Sequence, residues 1–505
     1  MESAERVERT YGAWWLAKSF GLFGLQAWGT AALFVALVVW IPVMIFAGLL
    51  PGMALFLLVV PPVLWATRQD RYHRTRGHKL AGRVARSRGR AKGNWPYRSG
   101  PAGRVPTGRF TLPGILASTT LHEFEDAYRR KVAVIHHPSV GHATVVIRAQ
   151  PDGASLVDPE VVDRKVTEYG EFQSRMCEEP GLVAFSATID VAPATASALQ
   201  DAMNGRVQPD APAPARQLVA EIVEDAPVGA AELAGWVTLT YALSGHRRRG
   251  LEDRLRELVE RVPVITEELE RTGAGIARPA SAQQVCEMVR VAYDPGIQAP
   301  LEDARAAGAL PTLSWSDVGP HYADAKPGYY QHDSGYSITW AMSDAPRSHV
   351  THTVLGRLLA AHPALDRKRV TLLYRPLDPG EAARQAEDDL KAAAGYARSE
   401  GTAAGALQLQ AAHQIASEQA RGASMVDFGL LVTVTVTDPE RLADARDAIN
   451  SARGRIVLRE MRDAQQAGFA ASLPLGIVLN GHRRTTSLKN AIRVQLPAAL
   501  KGDFS

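Results

Sequence analysis

The chain has 505 residues, with 57 Lys and Arg against 53 Asp and Glu, for a formal charge of +4. Two cysteines, Cys177 and Cys286, are too few for a disulfide framework or a cysteine zinc site. Both lie in apolar-periodic contexts and read as buried thiols in a reducing cytosol.

Residues 1–18 balance to zero charge, and residues 19–67 carry none. One crossing of a hydrocarbon core of roughly 30 Å takes about 20 apolar residues. The uncharged run therefore predicts a two-helix transmembrane hairpin, about residues 25–46 and 53–67, turning at Pro51-Gly52 or, alternatively, nearer Pro42. Residues 68–109 follow as a basic juxtamembrane linker in which thirteen Lys and Arg face Asp70 alone. Basic residues beside membrane helices are retained on the cytoplasmic side. The expectation is a multi-pass protein of the cell membrane with both termini cytoplasmic. Arg68, Arg71, Arg74, Arg76, Lys79, Arg83, Arg86, Arg88, Arg90 and Lys92 are the candidate contacts for anionic lipid. Nucleic acid competes for the same charges. Within this strip, residues 77–106 are rich in Gly, Arg and Pro and read as solvated.

The rest of the chain is net acidic and long enough for two cytoplasmic α+β domains, 110–310 and 311–505. Val132 to Ile135 and Ala143 to Ala149 flank a turn at Ser139 to Gly141, which is a hairpin signal. Leu182 to Val191, Trp236 to Leu243, Tyr336 to Met342, Val370 to Tyr374 and Leu430 to Thr437 read as further strands. Leu251, Leu255, Leu258, Val259 and Val262 fall at helical spacing, as do Leu442, Ala445 and Ile449. Asp158-Pro159, Asp378-Pro379 and Asp438-Pro439 each place a capping acceptor before a first-turn proline, and Glu381 adds a capping-box spacing to Asp378.

A faint repeat runs through this region. Trp236-Val237-Thr238-Leu239-Thr240 leads through a helix to Ala282-Gln283-Gln284, and Leu431-Val432-Thr433-Val434-Thr435 leads through another to Ala464-Gln465-Gln466. Two related ferredoxin-like halves would explain it; chance matching of short strings is the alternative.

The candidates for chemistry are sparse. His136, His137 and His142 flank the hairpin turn, and His349 and His352 stand three apart, yet no H-E-x-x-H or nearby cysteine supports a metal site. Asp333-Ser334-Gly335 lacks the G-x-S-x-G elbow and reads as a turn. The string G-x-x-x-x-G-K-[ST] of a phosphate-binding loop does not occur. The chain is thus read as a non-enzyme with no catalytic, cofactor or metal site. Tyr329, Tyr330, Tyr336 and Trp340 form the most aromatic stretch and are assigned to core or domain-junction packing.

Tyr374-Arg375-Pro376, the Asp378-Pro379 helix, the strand Gly429 to Thr437 and the run Gln465 to Gly476 together resemble the non-catalytic N-terminal domain of conjugation ATPases in type IV secretion. Tyr11-Gly12, Phe20-Gly21-Leu22-Phe23-Gly24-Leu25 and the hairpin after them resemble an actinobacterial membrane-protein family with a domain related to EccE of type VII secretion. The resemblance implies a structural subunit of a secretion or conjugation apparatus, docking a separate ATPase within an oligomeric complex of membrane subunits. The alternatives are a DNA-contacting subunit of a conjugation pore and a membrane-bound hydrolase resting on His136 and His349.

Overall fold

The computed structural model describes residues 11–12, 27–67, 75–101, 103, 108–151, 157–193, 211–225, 231–243, 250–344, 346, 349–400, 403–420 and 424–479. After the two-residue strand β1 (Tyr11–Gly12) come α1 (Ala27–Ala47) and α2 (Leu49–Thr67). They are separated at Gly48, whose φ of 95° only glycine adopts readily, and tied by Trp40 Nε1 donating to the Gly52 carbonyl at 2.8 Å. Large apolar side chains on this pair stay exposed, Phe46 at 88% and Leu50 at 81%.

The expected transmembrane hairpin is corrected here: among the described residues, no helix is long and apolar enough to cross a membrane. The uncharged run is cut at Gly48, and prolines lie inside both helices, Pro42 in α1 and Pro61 and Pro62 in α2. Each of these prolines lacks the N–H that would close the helix ladder, so neither helix is a regular apolar span. The expected multi-pass placement with both ends cytoplasmic falls with the hairpin. The strip at 77–106 also differs from a solvated linker. It contains α3 (Arg76–Ala91), an amphipathic helix, and β2 (Tyr97–Arg98), which joins the sheet.

Most of the remaining elements recur in two halves in a similar order. The first half runs β3 (Thr120–Glu125), β4 (Lys131–His137), β5 (His142–Gln150), α4 (Pro159–Glu178), β6 (Leu182–Pro193) and α5 (Ala213–Asp225). It continues through β7 (Ala231–Ala242), α6 (Leu251–Val259), α7 (Val262–Leu269), β8 (Ile276–Pro279) and α8 (Ala282–Tyr293). After α9 (Gln298–Ala306), the second half runs β9 (Tyr322–Ala325), β10 (Tyr330–His332), β11 (Gly335–Asp344), β12 (His349–Val350), α10 (Gly356–Leu359) and β13 (Arg367–Pro376). It ends with the helical hairpin α11 (Pro379–Glu400) and α12 (Ala403–Ala420), then β14 (Val426–Val436), α13 (Leu442–Ala452), β15 (Val457–Glu460) and α14 (Gln465–Ser472).

Instead of two modules behind an anchor, the halves share one antiparallel sheet of 13 strands, in the order β2-β9-β10-β11-β14-β13-β6-β7-β5-β4-β3, with β15 on β11 and β8 on β5. The central pairings correspond. β7 lies between β5 and β6 as β14 lies between β11 and β13, which gives each half split βαβ crossovers. β4 and β8 share one edge of β5, as β10 and β15 share one edge of β11. The two Ala-Gln-Gln triplets stand at the start of α8 and α14, the helices that follow the fourth strand of each crossover set.

Alternation along the strands splits the core by face. On one face a shared core gathers Val285 and Val289 of α8, Phe469 and Ala470 of α14, and Leu112, Leu116 and Val318 from the connecting segments. The other face carries two separate cores. Phe172, Leu255 and Ile265 cover the first half, and Leu358, Leu442 and Ile449 cover the second.

The proline-led helix starts form as the sequence pattern indicates. Asp378 Oδ1 accepts from Gly380 N at 2.9 Å and Asp438 Oδ1 from Glu440 N at 2.8 Å, whereas Asp158 makes no side-chain cap bond.

Candidate functional site

The halves meet where β6 pairs with β13, and Thr188 opposite Thr371 marks the midpoint, their hydroxyls 3.1 Å apart. From that midpoint the two ends of the seam differ. At one end Phe185 stacks on Tyr374 with ring centroids 4.7 Å apart. At the other, Asp190 accepts from Arg367 Nε at 3.0 Å and from Arg369 at 3.1 Å, with Asp190 and Arg369 both only 3% exposed. Burial raises the Asp190 carboxyl, but the two guanidinium groups together outweigh it and hold the group below the usual carboxylate range.

Each half also contains a buried histidine leaning on two hydroxyls. His137 Nε2 lies 3.2 Å from Thr144 Oγ1, which lies 3.1 Å from Thr240 Oγ1. In the second half His332 Nε2 lies 2.7 Å from Ser337 Oγ, which lies 2.7 Å from Thr435 Oγ1. The other half's tail closes each set. The Gly476 carbonyl after α14 accepts from Thr240, and the Tyr293 carbonyl ending α8 meets His332 Nδ1 at 2.6 Å. At Gly476, φ is 69° and a Cβ would collide with the Thr144 and Thr240 hydroxyls, so this crossing requires glycine. Burial pushes the His332 imidazole down to about 4.

These contacts place the histidines and the serine that the sequence singles out. His137 belongs to the first set, while His136 faces His122 across the β3–β4 ladder with ring centroids 6.5 Å apart. His142 opens β5, His349 pairs with Gly12, and His352 starts a 3₁₀ turn. His142 stands opposite His137 across the hairpin, and among the described residues no group of three His, Cys, Asp or Glu could hold a metal ion. Ser334 donates to Asp294 Oδ1 at 2.5 Å and accepts from Gly296 N at 3.0 Å, which makes it part of a turn. The Cys286 thiol is pushed up to about 12 by burial, with nearby carboxylates adding to the effect, so it stays protonated and unreactive.

The separate cores on the outer face leave a gap at the aromatic end of the seam. It is a cavity of about 570 Å³ bounded by α4, the 3₁₀ turn before α10, and the ends of β11, β13 and β14. Leu372, Val426 and Phe428 form part of its wall, and Tyr374 is hydrogen-bonded to Tyr169 of α4, with Gln173 bonded to both. On the opposite face, at the same end of the same strands, a cavity of about 290 Å³ is lined by Ser186, Thr238, Arg375, Asp427, Gly476 and, again, Tyr374. Sequence reasoning did not single out Tyr169, Gln173 or Phe428. Their only local signal is the aromatic spacing of Tyr169 and Phe172 along α4.

Of the ten basic candidates, Arg68, Arg71 and Arg74 lie outside the described residues. Arg76, Lys79, Arg83, Arg86, Arg88 and Arg90 are carried by α3, and Lys92 follows it. The helix is tied to the body by two of them, Arg86 half-buried and Arg90 exposed. Arg86 pairs with Asp463, and Arg90 lies 3.3 Å from Asp324. Arg83, Arg88 and Lys92 are exposed, while the Arg76 guanidinium stands over the Trp65 ring at 6.0 Å. One helix thus binds its own domain through one set of arginines and presents another outward.

The chain matches no family model, and no curated protein matches it.

Proposed function

We propose that the chain is a structural subunit of a secretion or conjugation assembly that docks a separate ATPase and does no chemistry of its own. The observation that supports this reading is a convergence. The segments resembling the non-catalytic domain of conjugation ATPases are far apart in sequence but come together at one end of the sheet. Tyr374 and Arg375 end β13, Gly429 lies in β14 directly opposite Leu373, and Gly476 follows α14 beside them. Arg375 pairs with the exposed Asp427 at that rim and offers a charged edge for a partner.

The test is co-purification of the full chain with a conjugation or secretion P-loop ATPase from the same organism. The wild type is expected to retain the ATPase, Arg375→Glu to lose at least tenfold of it, and Arg83→Glu to keep it. A wild-type chain that retains no ATPase overturns the proposal.

The outward charges of α3 favour a second reading, contact with nucleic acid. Three phosphate contacts by Arg83, Arg88 and Lys92 would give a slope of about −3 in log affinity against log salt. A duplex whose binding is indifferent to salt, or unchanged when all three are replaced by Gln, removes that reading.

A further inference from the structure

The 570 Å³ cavity has a chemical character of its own. None of the described residues lining it is charged, and most are apolar, among them Val166, Met342, Leu355 and Leu372. Its polar floor is the cluster in which Tyr169 and Tyr374 share a hydrogen bond and Gln173 bonds both. Tyr374 is held in place from behind, since Phe185 stacks on it at 14° between ring planes and its exposure is 9%. The amide of Gln173 brings two N–H donors and a carbonyl, more bonding capacity than two phenols consume. The volume falls in the range of roughly 300 to 1,000 Å³ typical of small-molecule sites.

Each property narrows the occupant. A charged ligand would lose its hydration with no counter-charge among the described wall residues, which is strongly unfavourable. An extended peptide would bring an N–H and a C=O at every residue to a surface with one polar cluster. Flat aromatic walls and a fixed hydrogen-bonding floor suit a ring system carrying one polar group. We infer that the cavity is a binding site for a neutral, largely apolar aromatic small molecule whose single hydrogen-bonding group meets Gln173 and the tyrosine pair. This does not rest on the docking role proposed above, which concerns the rim at Arg375.

Gly170 supplies a clean test. It lines the cavity from α4, and a Cβ placed there meets nothing within 4 Å, so a side chain can be started at this position without a clash. The probe is N-phenyl-1-naphthylamine, a neutral aromatic amine with one N–H that fluoresces in apolar surroundings, titrated into the full chain. The wild type and Gly170→Ala are expected to show the same saturable binding phase. Gly170→Trp should weaken that phase tenfold or more, and Gln173→Leu should weaken it about fivefold through the lost hydrogen bond. Dye adsorbed on the exposed apolar helices would be common to all four proteins. The inference is overturned if the wild type shows no saturable phase, or if Gly170→Trp leaves it unchanged. It is also overturned if the anionic analogue 1-anilinonaphthalene-8-sulfonate binds the same phase as tightly. Release of the probe by a stoichiometric amount of the ATPase would assign the cavity to that partner and overturn it too.

Discussion

The two halves of the sheet follow the same plan but treat their shared seam differently. Ser186 pairs with Thr238 as Arg369 pairs with Thr433, so Phe185 of the first half corresponds to Lys368 of the second. Where the first half places an aromatic ring that stacks and bounds a cavity, the second places a lysine only 3% exposed, whose ammonium donates to the Ala360 carbonyl. The Thr-rich interior of each half and its histidine set are retained, whereas the residues at the seam are not. A repeated framework tolerates divergence where the copies meet, because that surface is buried once, between unlike partners, and has no symmetric counterpart to satisfy.

The comparison can be broken most sharply at the ionic end of the seam. Asp190→Ala leaves the buried Arg369 without its counter-ion. It is expected to lower stability by about 3–5 kcal/mol, read as a shift in the denaturant midpoint. A loss below about 1 kcal/mol would show that the seam does not depend on this pair.

The histidine sets offer a smaller effect with a sign. His332 titrates near 4 when folded against about 6.5 when unfolded, so the unfolded chain takes up the proton first as pH falls. Stability should therefore decline between pH 6.5 and 4, by about 3 kcal/mol at most, and His332→Gln should flatten that slope. An unchanged slope in the variant would assign the acid sensitivity elsewhere.

The smallest effect has the same sign and lies at alkaline pH. Burial brings the Lys368 ammonium down to about 8. Between pH 8 and 10.5 the unfolded chain is protonated and the folded one is not, so stability rises through that window. Lys368→Met, which moves the second half toward the apolar choice of the first, should add about 1–2 kcal/mol at pH 7, less the unmet Ala360 carbonyl, and should remove the alkaline rise. Destabilisation at neutral pH would mean that the lysine makes the halves compatible and is not a burden on them.

Much of the framework was legible in the chain. The turn at Ser139 to Gly141 marks the β4–β5 hairpin, and alternation in Trp236 to Leu243 and in Leu430 to Thr437 marks the central strands β7 and β14. Period-two patterning works there because both faces are packed, one by apolar side chains and the other by hydroxyls that bond across the sheet beneath the helices, as Thr339 and Thr433 do at 2.9 Å. The site was not legible. The cavity draws Tyr169 from α4 to Tyr374 and Phe428, two hundred residues and more further along the chain, and no local pattern encodes a gap between helix layers. The basic strip was visible as charge, but not that Arg86 and Arg90 would be absorbed by Asp463 and Asp324, 377 and 234 residues away. The uncharged run misled, because counting apolar residues takes no account of the break at Gly48 or of the prolines inside both helices.

The amino-acid sequence by itself determined the local elements: alternating strands, proline-led helix starts, a chain-order repeat and the clustering of basic charge. Those depend on interactions within a few residues, where backbone geometry and side-chain period decide the outcome. Only the tertiary structure decided that the copies share one sheet, that each histidine set is closed by the other copy's tail, and that the seam ends in an ionic pair on one side and a cavity on the other. Those features arise from packing between residues remote in sequence, and a one-dimensional pattern carries no record of which distant faces will meet.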